Sequence, residues 1–277
     1  MQDQSKSQDF QRIDLKKVFA SKSEKIARLI PGFIISYLKR IIHQDELNDF
    51  LSRNHQKQGI DFSQAVLDEL SITYDIHGLD KLDKDKRYLL VANHPLGGPD
   101  GLILISLFGK HFKTIRFLVN DILMNIKNMG QVFVPINKHG GQAKEAAKII
   151  ESAYASDSTI LTFPAGLVSR KQQGVIKDLE WKKSFIVKAK KHQRDIVPIH
   201  ISGRNSNFFY NLANFRKFIG LKANIEMLYL VNELFKQRGK QFKITIGDPI
   251  PFESLDRSLT HNQWAEKINK QCYDLAD

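Results

Sequence analysis

The sequence predicts an α/β fold, with a mostly parallel central sheet flanked by helices and a helical extension at the N-terminus. Three observations carry that expectation. From about residue 72 onward, strand-like runs alternate with stretches of helical period, the pattern of strands joined by crossover helices. Some runs, such as YLLVA, are apolar throughout, as strands buried on both faces are. Before residue 72 the apolar residues recur instead at helical spacing.

The elements follow in chain order. Residues 1 to about 15 read as disordered. The stretch 16–70 reads mostly as helix: FIISYLKRIIHQDELNDFLSRN carries one apolar face, and FSQAVLDEL follows Asp61 as a cap. SITYDIHGL alternates as a strand, DKLDKDKR turns, and YLLVANH is a buried strand. After the turn PLGGPDG a helix starts near Leu102; TIRFLVN is a strand, DILMNIKNM a short helix and QVFVPIN the next strand. Ala143, Ala146, Ala147, Ile150 and Ala153 share one face of a helix over 142–154. STILTFPAG is a strand ending in a turn, WKKSFIVKAKKH a helix, DIVPIHISG and QFKITIGDPI strands, and the tail from about Asn262 a helix. The division that results is a helical extension over 1–71 and an α/β domain over 72–277.

Composition and charge narrow the classes. The chain has 277 residues, 42% of them hydrophobic, enough for a large core. Its formal net charge of +12 suits anionic partners: nucleic acid, anionic lipid surfaces or acidic proteins. The sequence shows no helix-turn-helix punctuation, zinc-ligand spacing or RNA-binding aromatic signature, so nucleic acid is not the expected partner. The one cysteine, Cys272, excludes an internal disulfide and a cysteine-based zinc site, and it reads as a partly buried helix residue. The polar start lacks a signal-peptide core.

The apolar stretch LIPGFIISYL, 29–38, falls short of the roughly 20 residues that a membrane span needs. Lys17, Lys22, Lys25, Arg28, Lys39 and Arg40 flank it, which fits a helix lying on a membrane surface; a packing helix with a basic rim fits equally well. The stretch 204–220 mixes Phe208, Phe209, Tyr210, Phe215 and Phe218 with basic residues. It reads as an acyl-chain groove, an interfacial helix, a stacking surface or a loop packed on the core.

The chemical candidates gather where strands end. Asn93-His94 closes YLLVA, and Asp100 follows across a turn containing Gly97 and Gly98. Such a turn can bring a carboxylate to one imidazole nitrogen and leave the other free to take a proton. The Gly97 and Gly98 amides are then placed to hold an acyl group or its oxyanion. A capped turn with a hydrogen-bonded histidine explains the same residues. Lys138 after VFVPI, and Gly166, Ser169 and Arg170 after TILTFPA, mark two further strand ends; Lys138 and Arg170 suit a carboxylate or a phosphate. His200 reads as a strand histidine, His139 as a loop residue, and Lys182 and Lys183 as surface charge.

NHPLGGPDG resembles the first conserved block of the lysophosphatidic acid acyltransferase-like superfamily. The five residues between His94 and Asp100 match its hemolysin-like branch, which makes glycine and ornithine lipids in bacteria. VFVPINK (132–138), FPAGLVSR (163–170) and IVPIHISG (196–203) resemble the second, third and fourth blocks, in the same order. The resemblance spans about 25–255 and implies a glycerolipid acyltransferase-like fold. It also implies His94 as general base, Asp100 as its orienter, and Asn93, Gly97, Gly98, Lys138, Gly166, Ser169 and Arg170 as substrate-binding residues, with no metal.

The implied reaction moves a fatty acyl, or 3-hydroxyacyl, group from an acyl carrier protein or coenzyme A thioester to the amine of glycine or ornithine. Acylation of a lysophospholipid or of glycerol 3-phosphate is the alternative; a non-catalytic lipid- or nucleic-acid-binding protein is a rival of another class. The thioester is a co-substrate and no further cofactor is implied. The expected location is the cytoplasmic face of the cell membrane, peripherally. One departure bears on the acceptor: Leu167 stands where that branch carries an acidic residue.

Overall fold

Short strands, such as the wholly buried apolar run Tyr88–Ala92, form the sheet, and stretches of helical period form the helices that cover it. The computed structural model describes residues 12–17, 30–136 and 143–276. Most of the segment expected to be disordered, and Asn137, Lys138 and His139, lie outside the described residues.

Helices α1 (Gly32–Ile41), α2 (Gln44–Asn54) and α3 (Gly59–Glu69) precede strand β1 (Thr73–His77). Then come β2 (Tyr88–Ala92), α4 (Gly98–His111), β3 (Ile115–Val119), β4 (Phe133–Pro135), α5 (Ala143–Ala155) and β5 (Thr159–Thr162). A hairpin of β6 (Arg170–Gln172) and β7 (Val175–Lys177) leads to α6 (Ser184–His192), β8 (Asp195–Ile201), α7 (Asn207–Phe218), α8 (Leu230–Phe235), β9 (Gln241–Ile246) and α9 (His261–Asp274). Among the described residues the main sheet has seven strands in the order β1-β9-β8-β2-β5-β3-β4. All neighbours pair in parallel except β8 with β9, so the sheet is mostly parallel as expected.

The two-residue period of β2 divides the core. Tyr88, Leu90 and Ala92 join one cluster with Phe62, Leu104 and Phe108; Leu89 and Val91 join another with Trp181, Phe185 and Ile268. Phe50, Phe62, Leu67 and Leu70 belong to the first cluster, so α2 and α3 share the core of the sheet.

Several local expectations shift. α4 starts at Gly98, ahead of Leu102, because Pro99 fits a first helical turn that needs no N–H bond. DILMNIKNM forms two short 3-10 turns, Asp121–Asn125 and Lys127–Met129. The hairpin β6–β7 went unread, although Gln173 and Gly174 take the positive φ values (48° and 86°) of a tight hairpin turn. The aromatic-basic stretch becomes α7, capped by Ser206, whose Oγ accepts from the Phe209 N–H at 3.3 Å. Cys272 is fully buried in α9, where its thiol donates to the Ile199 carbonyl at 3.0 Å.

Candidate active site

The strands β2, β5 and β8 are parallel neighbours, so their carboxyl ends open on one edge of the sheet. His94 follows β2 there, half-buried. Its Nδ1 lies 2.8 Å from Oδ2 of Asp100, which is fully buried in the first turn of α4. A carboxylate only accepts, so Nδ1 carries a proton, and in the neutral imidazole Nε2 is then the nitrogen with the lone pair. The same Oδ2 accepts from the amides of Leu96 at 2.9 Å and Gly97 at 3.0 Å, which ties the turn around the carboxylate. The turn requires its glycine. Gly97 sits at φ 92°, and a Cβ there would lie 3.2 Å from Leu230.

Residues distant in sequence hold the imidazole. The ring of Phe163, after β5, stacks on His94 with centroids 3.9 Å apart and planes at 12°. Asp178, after β7, accepts from the His94 backbone N–H at 3.1 Å and from the Ser169 hydroxyl at 2.5 Å through Oδ1. Its Oδ2 accepts from the Trp181 indole at 2.9 Å. The Ser169 N–H donates to the His94 carbonyl at 2.8 Å. Burial pushes the Asp178 carboxyl up from its ordinary value, against the bonds from Ser169, Trp181 and His94. Sequence reasoning missed both Phe163 and Asp178.

The expected substrate-binding residues divide. Asn93 is buried, and its carboxamide exchanges two hydrogen bonds with the Ile201 backbone, at 2.9 and 2.7 Å. It clamps β2 to β8. Ser169 is committed to Asp178 and the His94 backbone, and the Gly97 amide to Asp100. Arg170 is 2% exposed and pairs with Glu226 at 3.0 Å, so it is a buried structural cation rather than an anion receptor. Glu226 also accepts from Arg216 at 2.9 Å. Gly98 is exposed and opens α4, where an amide has no partner carbonyl within the helix.

Gly166 is exposed at φ 70° in the turn after β5. The ammonium of exposed Lys182 would lie 3.3 Å from a Cβ placed there, so this turn carries a cation other than Arg170. His200 sits in β8, and burial pushes its imidazole below the ordinary value.

A histidine with a carboxylate on Nδ1 and an open Nε2 can take a proton from a hydroxyl or an amine. The comparisons narrow this chemistry. A family model described as Acyltransferase matches residues 17–277. A lyso-glycine lipid O-acyltransferase of Bacteroides thetaiotaomicron is 48% identical over 264 residues, 95% of this chain and 97% of that protein. One of the same name from Phocaeicola vulgatus is 48% identical over 95% of each chain. The crystal structure of the 1-acyl-sn-glycerophosphate (LPA) acyltransferase of Thermotoga maritima aligns over 88% of this chain and 92% of that one, at TM-score 0.47 and 17% identity.

Proposed function

Since the chain belongs to the acyltransferase family whose model spans it, we propose that it transfers a fatty acyl group from a thioester to the hydroxyl of a lyso-glycine lipid. The observation that carries the mechanism is the His94–Asp100 pair at 2.8 Å. Nε2 of His94 removes the proton of the acceptor hydroxyl as its oxygen attacks the thioester carbonyl. The exposed Gly98 amide, at the positive end of α4, stabilises the oxyanion of the tetrahedral intermediate. The intermediate collapses to the ester, the carbon–sulfur bond breaks, and the imidazolium returns the proton to the leaving thiolate.

The donor is an acyl carrier protein or coenzyme A thioester. The net charge of +12 speeds encounter with either acidic partner. The relatives' names put the acyl group on oxygen, so the acceptor atom proposed is a hydroxyl rather than the amine of a free amino acid. The test follows thiol release from one acyl thioester with four acceptors: a lyso-glycine lipid, glycine, ornithine and a lysophospholipid. Release with the lyso-glycine lipid alone is expected. Release driven by free glycine or ornithine would overturn the hydroxyl assignment.

Among the described residues no helix is long and apolar enough to cross a membrane. We place the protein peripherally on the cytoplasmic membrane face, through exposed aromatics. Phe33 is 75% exposed on α1 and Phe218 is 88% exposed on α7. The Tyr37 and Tyr229 hydroxyls, 2.6 Å apart, and the Tyr229–Phe208 ring contact join the two helices. Lys39, Arg40 and Lys217 close these helices with positive charge, as a helix on an anionic surface has. Changing Phe33 and Phe218 together to serine is expected to weaken binding to anionic vesicles about 100-fold or more, at about 1.5–3 kcal/mol per buried phenylalanine. Stability should move by less than about 1 kcal/mol, since both rings are exposed. Unchanged co-sedimentation with vesicles would remove this face as the anchor.

A further inference from the structure

A cavity of 230 Å3 lies at the edge of the sheet that bears His94, lined by Arg204, Asn205, Ser206, Glu233, Lys236 and Lys240 among others. Two connections place it beside the first block. Gly203, just before Arg204, is so close to Leu96 that a Cβ there would lie 3.3 Å from its side chain. On α8 and the turn after it, Leu230 and Leu234 face Gly97 and Gly98, while Glu233 and Lys236 face the cavity.

Asn205 is the unusual member. It is 2% exposed, yet neither its Nδ2 nor its Oδ1 has a hydrogen-bond partner. A buried carboxamide left so costs stability unless something supplies both an acceptor and a donor. An amide supplies both. The charge around it has a sign as well. Lys236 is neutralised by Glu233 at 2.7 Å, and Glu233 is further held by the Ser206 hydroxyl at 2.7 Å and its N–H at 2.6 Å. Among the described residues Lys240 meets only the neutral Gln237 oxygen, at 3.0 Å, and Arg204 is exposed with no ion pair. The cavity thus presents an unpaired carboxamide next to two cations without counter-ions.

We propose that this cavity binds an amide joined to an anion, namely the N-acylglycine head of the acceptor. Asn205 pairs with its amide, and Arg204 and Lys240 hold its carboxylate. The assignment rests on the glycine-lipid reading above. It gives the carboxylate a place other than Arg170, which is buried in an ion pair. The donor's phosphopantetheine arm shares this chemistry, having amides and a phosphate, so the test separates the two sources.

The experiment is equilibrium calorimetry on the full chain with N-decanoylglycine, its methyl ester, N-decanoyl-N-methylglycine and coenzyme A. The variants are Arg204→Ala, which is exposed and keeps the fold, and Asn205→Leu, checked by circular dichroism. N-decanoylglycine is expected to bind wild type. Losing its charge, its N–H, or either side chain should weaken binding about tenfold, the worth of one charge-assisted hydrogen bond, with coenzyme A unaffected. Weaker coenzyme A with unchanged N-decanoylglycine would assign the cavity to the donor and overturn the proposal. No binding of N-decanoylglycine to wild type, or equal binding by wild type and Arg204→Ala, would overturn it too. A wild type that binds N-decanoylglycine as described but acylates no lyso-glycine lipid would refute the proposed reaction and leave this site standing.

Discussion

His94→Ala is expected to lower kcat for acyl transfer by about 10²–10⁴-fold, the range that a positioned general base supplies. The residue is half-buried, and the turn around it does not depend on its ring. Asp100 still accepts from the Leu96 and Gly97 amides, and the backbone of residue 94 still bonds to Asp178 and Ser169. The structural losses are the Nδ1 bond to the fully buried Asp100 carboxylate, about 1.5–3 kcal/mol, and the stack on Phe163, about 1 kcal/mol. A folded protein with intact donor binding and little turnover is therefore the expected variant. Asp100→Asn acts through the imidazole, by removing the carboxylate that keeps the proton on Nδ1. Groups that act as one unit do not add, so the double variant should be no slower than His94→Ala alone. A His94→Ala enzyme within about tenfold of wild type would show that another group takes the proton, since base catalysis is worth more than that.

The pair was legible in the sequence because its geometry is local. One turn with a glycine at positive φ brings Asp100 to His94, and residue spacing alone describes such a turn. The sheet was legible for the same reason, since strands and crossover helices each carry their own period. What surrounds the histidine was not. Asp178 is 84 residues from His94 and reaches it through a hairpin that the sequence hid in a polar stretch. Phe163 sits inside a recognised block, but only the register of β5 beside β2 puts its ring on the imidazole.

Arg170 shows the opposite error. Its place after a strand marks a basic residue at the site, but its ion-pair partner is 56 residues away, and only the fold reveals that it faces inward. Leu167 marks a missing acid on paper. In space the buried carboxylate that supports this part of the site is Asp178, held by Ser169 two residues beyond Leu167.

The buried pairing of Arg170 with Glu226 bears on stability. Glu226→Gln should cost about 3–5 kcal/mol, the loss expected when one partner of a buried ion pair is removed. Glu226 is fully buried between Arg170 and Arg216, themselves 2% and 7% exposed. Glutamine keeps the shape, opens no cavity and takes away the one charge that two buried guanidinium groups share. Arg170 and Arg216 then repel each other with little water between them, and burial already pushes the Arg170 guanidinium down from its ordinary value.

Thermal unfolding should fall by about 6–20 °C, at roughly 2–4 °C per kcal/mol for a domain near this size. The triple variant Arg170→Met, Arg216→Met, Glu226→Leu should recover most of the loss, because it removes the buried charges together. It should not recover all of it, since the Val168 carbonyl loses the Arg170 donor at 2.6 Å. If Glu226→Gln instead unfolds within about 0.5 kcal/mol of wild type, the range of an ordinary surface change, the cluster is not a structural centre. Arg170 would then be free to turn toward an anionic substrate, and the third block would regain its binding role.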